Sequence, residues 1–346
     1  MPRFPLLKLP CLALCQILPQ IEPISLMQLS LISSKLHHVL ENVKLNLDSV
    51  TFKLSTIDEI EVKSKKCSMS IRATSRVMTS RATWRTNKKS TLVWKNSEKN
   101  SYTCKWTSGI EVLERVTIHL LKILKVFKFY LNVEKDYEDL QDLFIWDLME
   151  KVDCITVDKN QMPVLMDSEN IRFLLDDVEK DNLILNASVW GYSDFKYRST
   201  KRIREIVLLH PFLIDLPNVL SMASNTIICV IQGDAEKEIN TVLRKWDSGE
   251  NETLERLEFH AKDRKYRDIP DEMTGIFDGL DWNGDDPERF SFKKVLSRIS
   301  PLSDSPFTGH AVYIRRDGTP ISIIISRGRM DFLFWTKDAI ESLGRE

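Results

Sequence analysis

Between residues 150 and 260 two hydrophobic periods alternate, and this alternation limits the possible folds more than any other feature of the sequence. Strand-like pieces of the form apolar-x-x-apolar-x-apolar occur at Val152/Ile155/Val157, Ile203/Ile206/Leu208 and Leu254/Leu257/Phe259, and a further run spans Thr226–Ile231. Stripes at three- and four-residue steps intervene, at Ile171/Leu174/Leu175/Val178 and Ile239/Val242/Leu243/Trp246, the period of helices with one buried face. Strand starts near 152, 183, 203, 226 and 254 give spacings of 31, 20, 23 and 28 residues. Such a chain predicts a stack that buries one face and displays strand edges and loops for binding.

Most of those spacings fall in the range of leucine-rich repeats, although no regular asparagine ladder position recurs. The array is therefore expected to be irregular and leucine-rich-repeat-like. It ends in a β-hairpin, because Asp317-Gly318 stands between the alternating runs Val312/Ile314 and Ile321/Ile323/Ile325.

The other end of the chain is helical. Leu14, Ile17, Leu18 and Ile21 form one stripe, which Glu22-Pro23 breaks, and Leu29, Ile32, Leu36, Val39, Leu40 and Val43 form a second. Lys8, Gln16, Glu22 and four prolines interrupt the apolar start, so no run reaches the ~18–20 residues of a membrane span, and no cleavage site follows. Two or three helices within about forty residues cannot bury both of their faces and need a partner or a neighbouring domain.

Between the two ends lie opposed charge blocks. Residues 61–106 hold twelve Lys/Arg against Glu61 and Glu98, with Trp84, Trp94, Tyr102 and Trp106 interleaved. Residues 134–181 hold fifteen Asp/Glu against five Lys/Arg. The basic block reads as antiparallel strands with one solvated face, near Thr83–Arg85, Leu92–Lys95 and Tyr102–Trp106; the alternative is a single-strand nucleic-acid platform. A long helix is expected over roughly 110–131, where Leu113, Val116, Leu120, Leu124, Phe127 and Leu131 repeat at helical steps.

Over all 346 residues the formal net charge is −1, so no global field selects nucleic acid, a membrane or a charged substrate. Six scattered cysteines without a CxxC pair favour a reducing compartment, cytoplasmic or nuclear, over secretion. Phosphate-loop, dinucleotide, zinc-protease and nucleophile-elbow motifs are absent. His37, His38, His119, His210, His260 and His310 lie far apart in sequence and lack metal-ligand spacing. A calcium loop starting at Asp281 fails, with Asp286 at its glycine position and Phe292 at its glutamate position, which leaves residues 278–286 as a turn-rich loop where Trp282 could meet a partner. No catalytic residue, cofactor or metal is expected.

The N-terminal residues resemble a family. Leu9-Pro10, Ile17-Leu18, Ile21 with Pro23, Leu26, Leu29 and Ile32-Ser33 are similar, in order, to an F-box of the divergent nematode type. Leu12 replaces a common acidic residue and Leu36 a common aromatic one. Further on, Asn240, Leu243, Trp246, Gly249, Asn251, Leu254 and Leu257 resemble the signature of the F-box-associated type 2 domain, and Tyr313–Thr319 with Phe332–Trp335 resemble its closing hairpin. The resemblance implies a substrate-recognition subunit of an SCF-type ubiquitin ligase that does no chemistry itself. Leu9, Pro10, Ile17, Leu18, Leu26 and Leu29 would dock on the adaptor subunit, and through it the cullin scaffold, while the C-terminal region would hold an unknown target protein. The expected fold is α+β: a small helical F-box over 1–46, a basic strand-rich segment plus long helix over 47–150, and the repeat-like region over 151–346.

Overall fold

The computed structural model describes residues 9–22, 25–27, 30, 33–65, 67–73, 83–86, 89–96, 101–106, 110–136, 139–190, 195–196, 201–211, 213, 215–231, 235–251, 253–261, 276, 278–280, 309–314, 318–326 and 329–335. The chain is mixed α+β. It divides into two compact units, one of residues 1–160 with 178–180, the other of 161–177 with 181–346. The first unit therefore runs through the expected 46/47 boundary.

In the first unit, α1 (Cys11–Ile17) continues into a 3-10 turn (Leu18–Gln20), and α2 (Ser34–Val43) follows. Ser33 caps α2, its Oγ accepting from the Leu36 N–H at 3.3 Å, so the helix starts where a β-region residue can turn its side chain back on the first turn. Lys44, at φ 51, ends it, and β1 (Leu45–Leu54) begins at the next residue. The remaining strands are β2 (Glu59–Ser64), β3 (Cys67–Ala73), β4 (Thr83–Thr86), β5 (Lys89–Asn96), β6 (Ser101–Trp106), β7 (Leu124–Val133) and β8 (Val152–Val157), in the order β8-β7-β1-β2-β3-β6-β5-β4. Register places Val50, Val62 and Met69 in one row and Ile155, Leu131, Phe52, Ile60 and Ile71 in the next, all buried on the same face. Ser49, Thr51, Glu59 and Glu61 occupy the other face, where Arg72 Nε donates to Glu59 at 2.7 Å and Lys53 pairs with Glu61 at 3.2 Å.

The helix expected over 110–131 is shorter. Helix α3 spans Ile110–Ile123 and buries Leu113, Val116, Leu120 and Ile123, and the chain then becomes β7. Leu124, Phe127 and Leu131 fit a helical step, but Val126, Phe127, Phe129 and Tyr130 are β-branched or aromatic and suit a strand held between parallel neighbours β1 and β8. Leu131 is fully buried there, and Phe127 is exposed. A short helix α4 (Ile145–Leu148) precedes β8.

In the second unit the parallel strands are β10 (Lys180–Leu185, within this unit from Asp181), β12 (Glu205–Leu208), β13 (Thr226–Ile231) and β14 (Arg256–Ala261). They are joined in order β10-β12-β13-β14, then antiparallel to β17 (Arg329–Phe334), β16 (Pro320–Ser326) and β15 (Gly309–Ile314). β15 and β16 form the expected hairpin, with Gly318 at φ 89 just before Pro320. Leu183, Ile206, Ile227, Leu257, Phe332 and Ile323 make one buried row across the sheet. Helix α5 (Ser168–Arg172) runs into a π-helical turn (Phe173–Asp177), and α6 (Glu236–Asp247) buries Ile239, Val242, Leu243 and Trp246, the four positions of its sequence stripe. Two short parallel strands, β9 (Val164–Met166) and β11 (Ala187–Val189), form a separate sheet.

Candidate functional site

The six residues expected to dock a partner do not share one environment. Pro10 is exposed at the N-cap of α1, where its carbonyl accepts from the Leu14 N–H at 3.1 Å; Leu9 and Ile17 are half-buried. Leu18 and Leu26 are fully buried, together with Leu14 and Met27, and a partner cannot reach them while the helices stay folded. In the fold they pack inside the helical segment, whereas the resemblance implied that they dock on the adaptor. Leu29 lies outside the described residues. Among the described residues of the segment, the large apolar side chain that stands exposed is Leu12, 83% exposed on α1.

This segment is fastened to α3 by a polar seam. The Ser30 hydroxyl donates its one proton to the Met27 carbonyl at 2.7 Å, so the contact of Ser30 Oγ with His119 Nε2 at 2.9 Å requires the ring nitrogen to donate. Ser30 is buried and its proton is committed, so this Ser–His pair is structural rather than a nucleophile and base. The His37 ring stacks on His119 with centroids 4.4 Å apart, and Glu41 bridges His37 at 3.2 Å and His38 at 3.1 Å. Histidines 82 positions apart (119 minus 37) thus meet, which the sequence spacing alone did not reveal. Burial, and next the neighbouring His37, push the His119 imidazole down from 6.5 to about 4.

That depression sets the sign of a pH effect. As pH falls through 6.5 the unfolded chain takes up a proton that folded His119 refuses until about pH 4, so stability present above 6.5 is lost between those values. With the ring partly exposed, solvent screening limits the loss to roughly 1–2 kcal/mol. His119→Gln removes that share of the acid slope in urea titrations at pH 7, 5.5 and 4. A slope equal to that of the unsubstituted chain would contradict the assignment.

In the second unit the seven residues of the C-terminal resemblance all have structural work. Leu243, Trp246, Leu254 and Leu257 are buried, and Trp246 lies 5.1 Å from the Phe334 ring. Gly249, at φ 97, donates its N–H to the Trp246 carbonyl. Asn251, at φ 59, donates from Nδ2 to the Leu220 and Met222 carbonyls and accepts at Oδ1 from the N–H groups of Thr253 and Leu254. Asn240 Nδ2 donates to the carbonyls of Ile276 and Asp278, and Arg244 donates to Asn240 Oδ1 and to the Asp278 carbonyl. Gly279, at φ 70, sits so close to this guanidinium that a side chain there would strike it at 2.4 Å. The loop start is fixed in this way; Trp282 lies outside the described residues.

Behind the apolar row, β14 and β17 carry a charged cluster. Arg256, Glu258 and His260 alternate with Leu257 and Phe259, and Arg329 and Asp331 alternate with Met330 and Phe332. Glu258 is 3% exposed and meets Arg256 at 2.5 Å, Arg329 at 2.8 Å and His260. Burial opposes its charge, but the His260 hydrogen bond and then the two guanidinium groups prevail and hold its carboxyl below the usual range. Asp331, 2.9 Å from Arg329, is pushed up by burial and by the negative charge of Glu258. Every carboxylate oxygen here faces a cation, so the cluster fastens the two strands to each other.

The basic block forms a ladder of β4, β5 and β6, with β3 parallel to β6. In register, positions 102 and 106 alternate in step with Met69, Ile71 and Ala73, and position 94 falls in the opposite row with Thr103 and Ser70. Position 84 is in register with 91, and 91 with 106, so three of the four aromatic positions share the face of Met69 and Ile71 and position 94 alone lies on the other. Among the described residues no group of three or more His, Cys, Asp or Glu could hold a metal, and no helix is long and apolar enough to cross a membrane. No family model, curated protein or solved structure matches the chain.

Proposed function

We propose that this chain is the target-binding subunit of an SCF-type ubiquitin ligase, bridging the adaptor to a target protein and doing no covalent chemistry itself. Its contribution is then to raise the local concentration of the target's lysines near a ubiquitin-charged enzyme held elsewhere in the assembly. On this reading the N-terminal helices are the F-box, the second unit is the F-box-associated region, and its strand–helix alternation is an irregular leucine-rich-repeat-like array. The observation that carries the proposal is Leu12: the segment spends Leu14, Leu18, Leu26, Met27, Leu36 and Leu40 on its own core and still offers a bare leucine beside exposed Pro10. An exposed apolar side chain on a helix braced from behind is what a helix-docking partner requires.

Leu12→Asp is expected to weaken binding of the purified adaptor by at least about tenfold in calorimetry, and the fold should survive because nothing of the core is touched. Leu12→Met should bind nearly as the unsubstituted chain does. Equal affinity for the Asp variant would place the docking surface elsewhere.

A further inference from the structure

We propose that the His37–His119 stack is an acid-operated clasp: at neutral pH it holds the N-terminal helical segment closed on α3, and protonation opens it and withdraws the docking surface around Leu12. The inference rests on that segment being the adaptor-docking site, and it assigns the site a regulation.

The clasp joins two parts of the chain that are distant in sequence. α2 brings His37, His38 and Glu41, buried Ser30 precedes it, and α3 brings His119 and Lys122. The rings of His37 and His119 lie nearly parallel, 19° apart, with centroids at 4.4 Å. Hydrogen bonds fix where their protons sit. His119 holds one on Nε2 and donates it to Ser30 Oγ at 2.9 Å, so a second proton enters at Nδ1, for which no described residue offers an acceptor. His37 turns Nε2 to Glu41 at 3.2 Å, and its Nδ1 is buried without a partner.

Charge works in the same direction. Among the described residues, the charged or titratable groups that face His119 are His37, Glu41 and Lys122. Glu41 is the one carboxylate of the three, and it is divided between His37 at 3.2 Å and His38 at 3.1 Å. The His38 hydrogen bond holds the Glu41 carboxyl below the usual range, so Glu41 keeps its charge while the imidazoles titrate. A second proton on His119 therefore sets a cation against the His37 ring at stacking distance, with Lys122 on the same helix. Burial, and then His37, hold the His119 imidazole down to about 4.

Opening relieves this. Once α2 and Ser30 leave α3, His119 meets water and takes up a proton near its ordinary 6.5. The open form then gains on the closed one as pH falls from 6.5 towards 4, and above 6.5 the clasp has its full strength. At pH 5 the open population rises about tenfold, after allowance for the ring's partial exposure. What gives way is the support of the docking segment. Ser30 Oγ donates to the Met27 carbonyl at 2.7 Å, and Met27 is buried with Leu14, Leu18 and Leu26 in the segment that carries exposed Leu12.

Hydrogen exchange on the full chain at pH 7 and pH 5, corrected for the intrinsic effect of pH on amide exchange, tests this. Opening of the α2 amides over 36–43 should rise about tenfold relative to those of β1. His119→Gln should hold the rise below about twofold, and His37→Gln should reduce it to a few-fold, with circular dichroism at pH 7 confirming each fold. Adaptor affinity by calorimetry should fall about tenfold over the same interval for the unsubstituted chain and less than about twofold for His119→Gln. The clasp is refuted if α2 keeps its protection relative to β1 at pH 5, or if His119→Gln opens as the unsubstituted chain does. An adaptor affinity that stays level while α2 opens would refute the regulation. Exchange needs no adaptor, so a chain that binds no adaptor at pH 7 overturns the ligase reading while the clasp is still read from α2.

Discussion

Trp246→Ala is expected to lower stability by about 3–5 kcal/mol, the range for removing a buried tryptophan from a packed core. The indole is 3% exposed on α6, 5.1 Å from Phe334 on β17, and so it joins the helix to the antiparallel part of the sheet. Its neighbours on the stripe, Ile239, Val242 and Leu243, are buried as well, so the cavity left at Trp246 opens among packed side chains. Trp246→Phe, which refills most of the volume, should cost less than half as much. Urea unfolding followed by circular dichroism measures both. A loss below about 1 kcal/mol for the alanine variant would mean that α6 does not pack on this sheet as described.

Glu258→Ala should cost a similar amount, about 3–5 kcal/mol, through a different mechanism. Removing the carboxylate leaves Arg256 and Arg329, both largely buried, with only Asp331 between them. The penalty comes from two desolvated guanidinium groups left to share the one carboxylate of Asp331, rather than from lost attraction alone. Adding Arg329→Met to Glu258→Ala should therefore restore part of the stability, because one of the orphaned charges goes with it. If the double variant is less stable than the single by the full cost of Arg329→Met alone, the two groups are independent and the cluster is not a unit.

The parts of the fold legible in the sequence are those where one period applies without competition. Ile239, Val242, Leu243 and Trp246 match only a helix, and the Ile321/Ile323/Ile325 run beside Gly318 matches only a hairpin strand; both elements occur. The end of α3 was not legible, because Leu124, Phe127 and Leu131 satisfy a helical step while Val126, Phe127, Phe129 and Tyr130 suit a strand, and the choice falls to β1 and β8, distant in sequence. Burial at the N-terminus was hidden too: Leu18 and Leu26 look like surface positions on their helical stripes until the chain folds back and buries them. The His37–His119 stack needs two helices whose pairing no local pattern states. The Glu258 cluster did leave a signal, since Arg256, Glu258 and His260 alternate with buried apolar residues; its partners Arg329 and Asp331 carry the same alternation 71 to 73 positions later (329 minus 258 and 331 minus 258).

Co-expression of the full chain with an SCF adaptor subunit, followed by size-exclusion chromatography with light scattering, tests the proposed coupling of a ligase adaptor to a target. One peak with the mass of a 1:1 complex is expected, and two separate peaks when Leu12→Asp is co-expressed instead. A folded chain that elutes apart from the adaptor even without substitution would contradict it.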